Sequence, residues 1–272
     1  MKLLKQEALF REAQYLRLCC YGEPGSGKTW FGASAAFDEL TAPVLYLEYR
    51  SQIASLRSNP RYMKAMENGS LVILELEEYE ELNHAYTFLL KASQLEAGAP
   101  LPAGGLWDLF PVSPKTVIVD SITELQRAEV MRIAGNTAGK FVRDVERPQI
   151  QHWGSLLNQF TLLAHLFFQL PYNIVFLGLE AVDYGPKANL SEPDRPVGFR
   201  LAMQGQAQRQ FPAYALTVMR LTRAARNAPY YAVGETKGIA AKTKEQTGFF
   251  PATIGGPTIP GMVSLLRGGT NE

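Results

Sequence analysis

Short apolar runs punctuate the chain at Leu16 to Tyr21, Val44 to Leu47, Leu71 to Leu76, Thr116 to Val119 and Asn173 to Leu179. Runs this short, bounded by turn residues, read as strands buried on both faces. The stretches between them have a different period. Tyr79 to Leu95 and Gln149 to Leu170 repeat apolar residues at helical spacing, as expected of helices packing one face on a sheet. Lys28 to Leu40 is helix-compatible and free of proline. The alternation predicts an α/β fold: a mostly parallel central sheet flanked by helices, doubly wound.

Later segments are less regular. Ala213 to Leu221 and Tyr230 to Val233 read as closing strands. Gly98 to Pro114, with four prolines and three glycines, reads as an inserted loop or hairpin. Its apolar tip, Leu106, Trp107 and Phe110, is expected either to pack or to bind a partner. Pro251 to Gly268 reads as part of a Gly- and Pro-rich C-terminal tail covering 251–272. With no internal repeat, residues 1–272 are taken as one domain.

Composition narrows the picture. At 46% hydrophobic content, 272 residues can bury a sizeable core. A net charge of +1 excludes a general polycation, so any polyanion site must be local. The two cysteines, Cys19 and Cys20, are neighbours in one extended segment and poorly placed to pair, which fits a reducing setting. Met1 to Leu18 lacks the uncharged core of a signal peptide. Leu162 to Leu179 is broken by His165, Gln169, Pro171 and Asn173, so no membrane span is expected. The expected location is the cytoplasm.

The chemistry starts at the first predicted strand-to-helix junction. Gly22-Glu23-Pro24-Gly25-Ser26-Gly27-Lys28-Thr29, followed by Trp30, fits G-x-x-x-x-G-K-[ST] in full. Glycines let backbone N–H groups curl around phosphate oxygens, Lys28 reaches the β- and γ-phosphates, and Thr29 ligates magnesium. The helix N-terminus adds a favourable dipole. ATP and Mg2+ are therefore the expected ligands.

Such a loop requires an acid at the end of a neighbouring strand, and Thr116-Val117-Ile118-Val119-Asp120 supplies one. Asp120 is the expected second metal residue, with a plain helix N-cap as the alternative. Because Ser121 follows, the base for hydrolysis must come from elsewhere. Glu48, closing Val44 to Leu47, is the candidate, against a surface carboxylate paired with Arg50; Glu124 and Glu180 compete. Glu180, at the end of Ile174 to Leu179, is a candidate sensor of the γ-phosphate or an ordinary strand-end acid.

The order of phosphate loop, strand ending in Glu48, Val117-Ile118-Val119-Asp120-Ser121 and strand ending in a polar residue resembles the RecA-type ATPase core. Within it, His152-Trp153-Gly154, Gly234-Glu235-Thr236-Lys237 and Ala240-Ala241-Lys242-Thr243-Lys244 look most like the small phage-encoded RecA-like ATPases of single-strand annealing and recombination. In such relatives an Ala-Lys-Asp-Arg-like stretch lies near the last motif, where this chain has Ala241-Lys242-Thr243-Lys244. The resemblance implies rings or filaments with ATP between subunits and cations acting in trans; Lys242, Lys244 and the weaker Lys237 are candidates, an ordinary solvated hairpin being the alternative. It also implies a phage-infected or bacterial cell and a single-strand-binding protein as a possible partner.

Between Arg195 and Lys244 nine basic residues face one acid, Glu235. Arg195, Arg200, Arg209, Arg223 and Arg226, interleaved with Phe199, Phe211, Tyr214, Tyr230 and Tyr231, have the ingredients of a single-stranded DNA surface. Arg220 belongs to the same basic stretch. The alternative is buried aromatics with arginines spread over several faces. Asp183 to Gly198 sits where RecA-like proteins carry a mobile DNA-contacting loop, or is an ordinary surface loop. The functional expectation is an ATPase acting on single-stranded DNA as a homo-oligomer. Its rivals are a small-molecule kinase, a nucleotide-regulated scaffold without DNA binding, and a helicase or packaging motor.

Overall fold

The computed structural model describes residues 15–49, 53–95, 101–110, 112–135, 148–185, 196–223, 230–233, 242–243 and 250–268. In chain order the elements are β1 (Arg17–Gly22), α1 (Lys28–Ala33) running into a 3-10 turn (Ser34–Phe37), β2 (Val44–Tyr49), α2 (Ala54–Arg57), α3 (Pro60–Glu67) and β3 (Leu71–Leu76). Next come α4 (Glu81–Ser93), a 3-10 turn (Gly105–Leu109), β4 (Thr116–Asp120), α5 (Ile122–Ile133) and α6 (Ile150–Gln169). The remainder is β5 (Asn173–Tyr184), β6 (Pro196–Leu201), α7 (Ala207–Ala213), β7 (Thr217–Arg223), β8 (Tyr230–Val233), β9 (Lys242–Thr243), β10 (Thr253–Gly255) and α8 (Ile259–Leu266).

Local sequence explains several starts. Asn59 caps α3 by accepting from the Arg61 N–H, with Pro60 in the first helical position. Gln149 and His152 form a reciprocal capping box on α6. Thr258 caps α8 through the Gly261 N–H.

The strand order is β10-β8-β7-β1-β5-β4-β2-β3, with β6 added to β5 and β9 to β7. Strands β7, β1, β5, β4, β2 and β3 run parallel, while β6, β8, β9 and β10 are antiparallel additions. This is the mostly parallel, helix-flanked sheet that the alternation of runs predicts. The β5 strand lies between the phosphate-loop strand β1 and the acid-bearing strand β4, so all three end on one edge of the sheet.

Because side chains alternate across a strand, parity assigns each residue to a face. Cys19 and Tyr21, Leu45 and Leu47, Val117 and Val119, Ile174 and Phe176 pack beneath α4 to α7. Leu18 and Cys20, Val44 and Tyr46, Ile118, Val175 and Leu177 pack beneath α1, α3 and α8. The two cores share the sheet as their wall.

Some expectations need correction. The helix predicted over Lys28 to Leu40 is a short α1 that tightens into a 3-10 turn. For Gly98 to Pro114 the described residues follow the loop alternative, not the hairpin, and the tip takes the packing alternative: Trp107 and Phe110 pack on Phe88 of α4, with ring centroids at 4.5 and 5.6 Å. Ala213 ends a helix, and the strand begins only at Thr217. The predicted tail contains β10 and α8; Ile259 and Val263 are fully buried, because apolar helical spacing outweighs the glycines and prolines around it. The predicted DNA loop is partly strand: β5 extends to Tyr184 and β6 returns along it. No helix among the described residues is long and apolar enough to cross a membrane.

Candidate active site

The phosphate loop is held in shape before any ligand is considered. A Cβ on Gly22 would fall 2.2 Å from the Leu221 carbonyl oxygen and 2.6 Å from Ser26 Oγ, so the loop leaves β1 along a path only glycine permits. Gly25 and Gly27 follow at φ 77° and 87°, in the left-handed region. The Ser26 N–H donates to the Glu23 carbonyl at 3.1 Å, and α1 begins with the Phe31 N–H donating to the Gly27 carbonyl at 2.8 Å. Glu23, Pro24 and Gly25 are exposed, whereas Ser26 and Lys28 are buried. The Trp30 ring turns away to make an edge contact with Tyr62 of α3 at 5.5 Å, and Tyr62 donates its hydroxyl to the Trp30 carbonyl.

Lys28 folds back over its own loop. Its Nζ donates to the carbonyls of Gly22 at 2.9 Å and Glu23 at 2.7 Å. Burial lowers the ammonium's pKa; Asp120, Cys20, Glu180 and Glu23 oppose that shift electrostatically.

Thr29 and Asp120 meet as the motif requires. The Thr29 hydroxyl donates to Asp120 Oδ2 at 2.9 Å, and the Tyr46 hydroxyl donates to the same oxygen at 2.6 Å. Asp120 is 3% exposed. Burial raises its pKa, against the two hydroxyl donors and Lys28. The Tyr46 phenol is raised well above its usual range by burial and by Asp120. Cys20, on the same sheet face, is pushed up to about 12 by burial, so its thiol stays protonated.

Glu48 pairs in register with Asp120 across β2 and β4. Its parity is that of Val44 and Tyr46, so it projects from the face beneath α1, as Asp120 does. It is fully buried, which removes the surface-carboxylate alternative; Arg50 lies outside the described residues. The competing Glu124 is paired with Arg127 one turn along α5.

Glu180 lies on the opposite face. Arg220 grips it with two hydrogen bonds, Nε to Oε2 at 2.8 Å and Nη2 to Oε1 at 3.1 Å. The Arg220 guanidinium lies 3.6 Å over the centre of the Phe199 ring, and its Nη2 is 3.8 Å from the Glu23 carboxylate of the phosphate loop. Glu180 is therefore tied to the loop's rim through Arg220.

The predicted DNA arginines do not form one surface among the described residues. Arg200 is held by Asp183 and Gln208, Arg220 is enclosed by Glu180 and Phe199, and Arg209 is exposed on α7. Arg223 stands beside the phosphate loop, its Nη2 3.8 Å from where a Cβ on Gly25 would sit. Phe211 is 1% exposed and packs on Phe160 and Phe176, so it offers no stacking face. Strand register governs this dispersal, separating residues that are close in sequence. Arg195, Arg226, Lys237 and Lys244 lie outside the described residues, and Lys242 lies in β9 beside β7.

Sequence reasoning missed Tyr46 as a donor to Asp120 and the positions of Arg220 and Arg223 beside the phosphate loop. Tyr46 was legible from strand parity, two residues before Glu48 on one face. The arginines required knowing that β7 lies directly beside β1.

The sequence model of the AAA domain family matches residues 14–250. No curated protein matches the chain. Among solved structures, a KaiC-like protein from the hyperthermophilic archaeon Pyrococcus horikoshii OT3 is similar at 13% identity and TM-score 0.42, over 83% of this chain and 80% of that one.

Proposed function

The chain belongs to the AAA domain family, and on that premise we propose that it is a RecA-like P-loop ATPase that hydrolyses magnesium-bound ATP while assembling with itself on single-stranded DNA. The setting we propose is recombination, annealing or replication of the phage type. The observation that carries the hydrolytic part is the Thr29–Asp120 hydrogen bond with Glu48 in register beside it.

The loop N–H groups and Lys28 hold the β- and γ-phosphates. Thr29 and Asp120 offer the hard oxygen donors that suit magnesium, which when bound offsets phosphate charge. Glu48 takes a proton from water as the water oxygen bonds to the γ-phosphorus. The bond to the β–γ bridging oxygen then breaks, leaving ADP and phosphate. Glu180, through Arg220, is placed to carry the state of the loop to β5 and β6.

Support for the DNA part is the surplus of basic residues over 195–244, with Arg209 and Tyr214 exposed at α7 and its end. Self-assembly is the arrangement in which Lys242, Lys244 or Lys237 would act on a neighbour's nucleotide.

The test is ATP turnover by wild type and Lys28→Ala, with and without a single-stranded oligonucleotide, while particle size is followed by light scattering. DNA-stimulated turnover and growth of assemblies, both lost in Lys28→Ala, is the expected result. Turnover indifferent to DNA, with no oligonucleotide binding, would overturn the DNA part and leave an ATPase of another purpose.

A further inference from the structure

Arg223, by sequence a candidate DNA contact, stands beside the phosphate loop. It is the last residue of β7, the strand hydrogen-bonded in parallel to β1 on the side away from β5. Register sets Tyr21 opposite Arg220, so Arg223 lies beyond the end of β1, level with the loop that leaves it. Met219 and Leu221 pack beneath α1 and α8. By parity Arg223 shares that face, whereas Arg220 points to the other with Glu180. It is half-buried, and its Nη2 lies 3.8 Å from the point a Gly25 Cβ would occupy.

Resting on the reading of the loop as a nucleotide site, we infer that Arg223 binds the polyphosphate of the nucleotide held by its own chain. Gly25 keeps the passage between the guanidinium and the loop backbone clear: it carries no Cβ, and its φ of 77° disfavours any residue that would. The loop's N–H groups and Lys28 approach the phosphates from the α1 side, and Arg223 closes the rim from β7. Two N–H groups of a planar guanidinium can engage two phosphate oxygens at once, which an ammonium cannot reproduce. A cation committed to this rim is also poorly placed to meet a DNA backbone.

The experiment compares wild type, Arg223→Ala, Arg223→Lys and Lys28→Ala. ATP and ADP affinities are measured by displacement of a fluorescent nucleotide. Affinity for a fluorescein-labelled oligothymidylate is measured with no nucleotide present, and thermal unfolding verifies each fold. The expected outcome is ATP binding weakened about tenfold or more in Arg223→Ala, only partly restored in Arg223→Lys, with oligothymidylate binding unchanged. A wild type that binds ATP through Lys28 while Arg223→Ala binds it equally well overturns this inference alone, as does a loss confined to oligothymidylate. A wild type that binds no nucleotide overturns the reading of the loop as well.

Discussion

Glu48 and Asp120 stand side by side on neighbouring parallel strands, in register and on one face, both withdrawn from solvent. Thr29 and Tyr46 both donate their hydroxyl protons to Asp120. In the proposed reaction Asp120 holds the metal and Glu48 serves the water.

Replacing Glu48 by glutamine is expected to lower ATP turnover by about 10²- to 10⁴-fold, the range for a general base, while leaving nucleotide affinity within a few-fold. Steady-state turnover alongside nucleotide titration checks this. Equal losses in affinity and turnover would instead make Glu48 a support for the loop.

Asp120→Asn and Thr29→Ala are each expected to shift the magnesium concentration for half-maximal turnover upwards. ADP binding measured without magnesium should stay close to wild type, because that part relies on the loop and Lys28. A magnesium titration of turnover separates the two effects.

The acid limb of stability should carry a mark of Asp120. Burial raises its folded pKa above 3.8, so the folded chain holds that proton more tightly than the unfolded chain. Stability contributed by this carboxyl is therefore present below 3.8 and falls as pH rises from 3.8 through the folded value. Urea denaturation over a pH series should show a flatter limb for Asp120→Asn than for wild type.

Arg220→Ala leaves Glu180, 3% exposed at its side chain, without its partner. A cost of about 3–5 kcal/mol is expected, as for one half of a buried pair. Arg220→Met with Glu180→Leu should recover much of it. Urea midpoints of the single and double variants measure the coupling.

Gly22→Ala should destabilise the fold by at least about 1–3 kcal/mol, since backbone, not a flexible tip, stands 2.2 Å from the added carbon. Gly154→Ala, where nothing lies within 4 Å, is the matched control on α6. Thermal unfolding of the two variants should separate clearly.

Much of this was written locally. The strands through Leu16 to Leu179, the phosphate loop and Asp120 follow from runs and spacings a few residues long, and the structure places them together. Glu48 was legible as a strand end, though its burial was not, because burial depends on β3 and β4 flanking it. The arginines of β6, α7 and β7 were read as one group because they are close in sequence. Their separation depends on which strand lies beside β1 and on the parity of β7, neither of which a single sequence expresses. The helix α8 was hidden for a related reason: glycine and proline mark turns, yet the apolar residues between them found partners beneath the sheet.

Lys28 already spends its ammonium on the carbonyls of Gly22 and Glu23. Nucleotide entry is thus an exchange reaction, in which phosphate oxygens compete with two backbone acceptors for one donor group. Measured affinity reports the difference between those two solvations, not the strength of the lysine–phosphate contact. A ligand too weakly charged to win that competition would leave the lysine on its own loop.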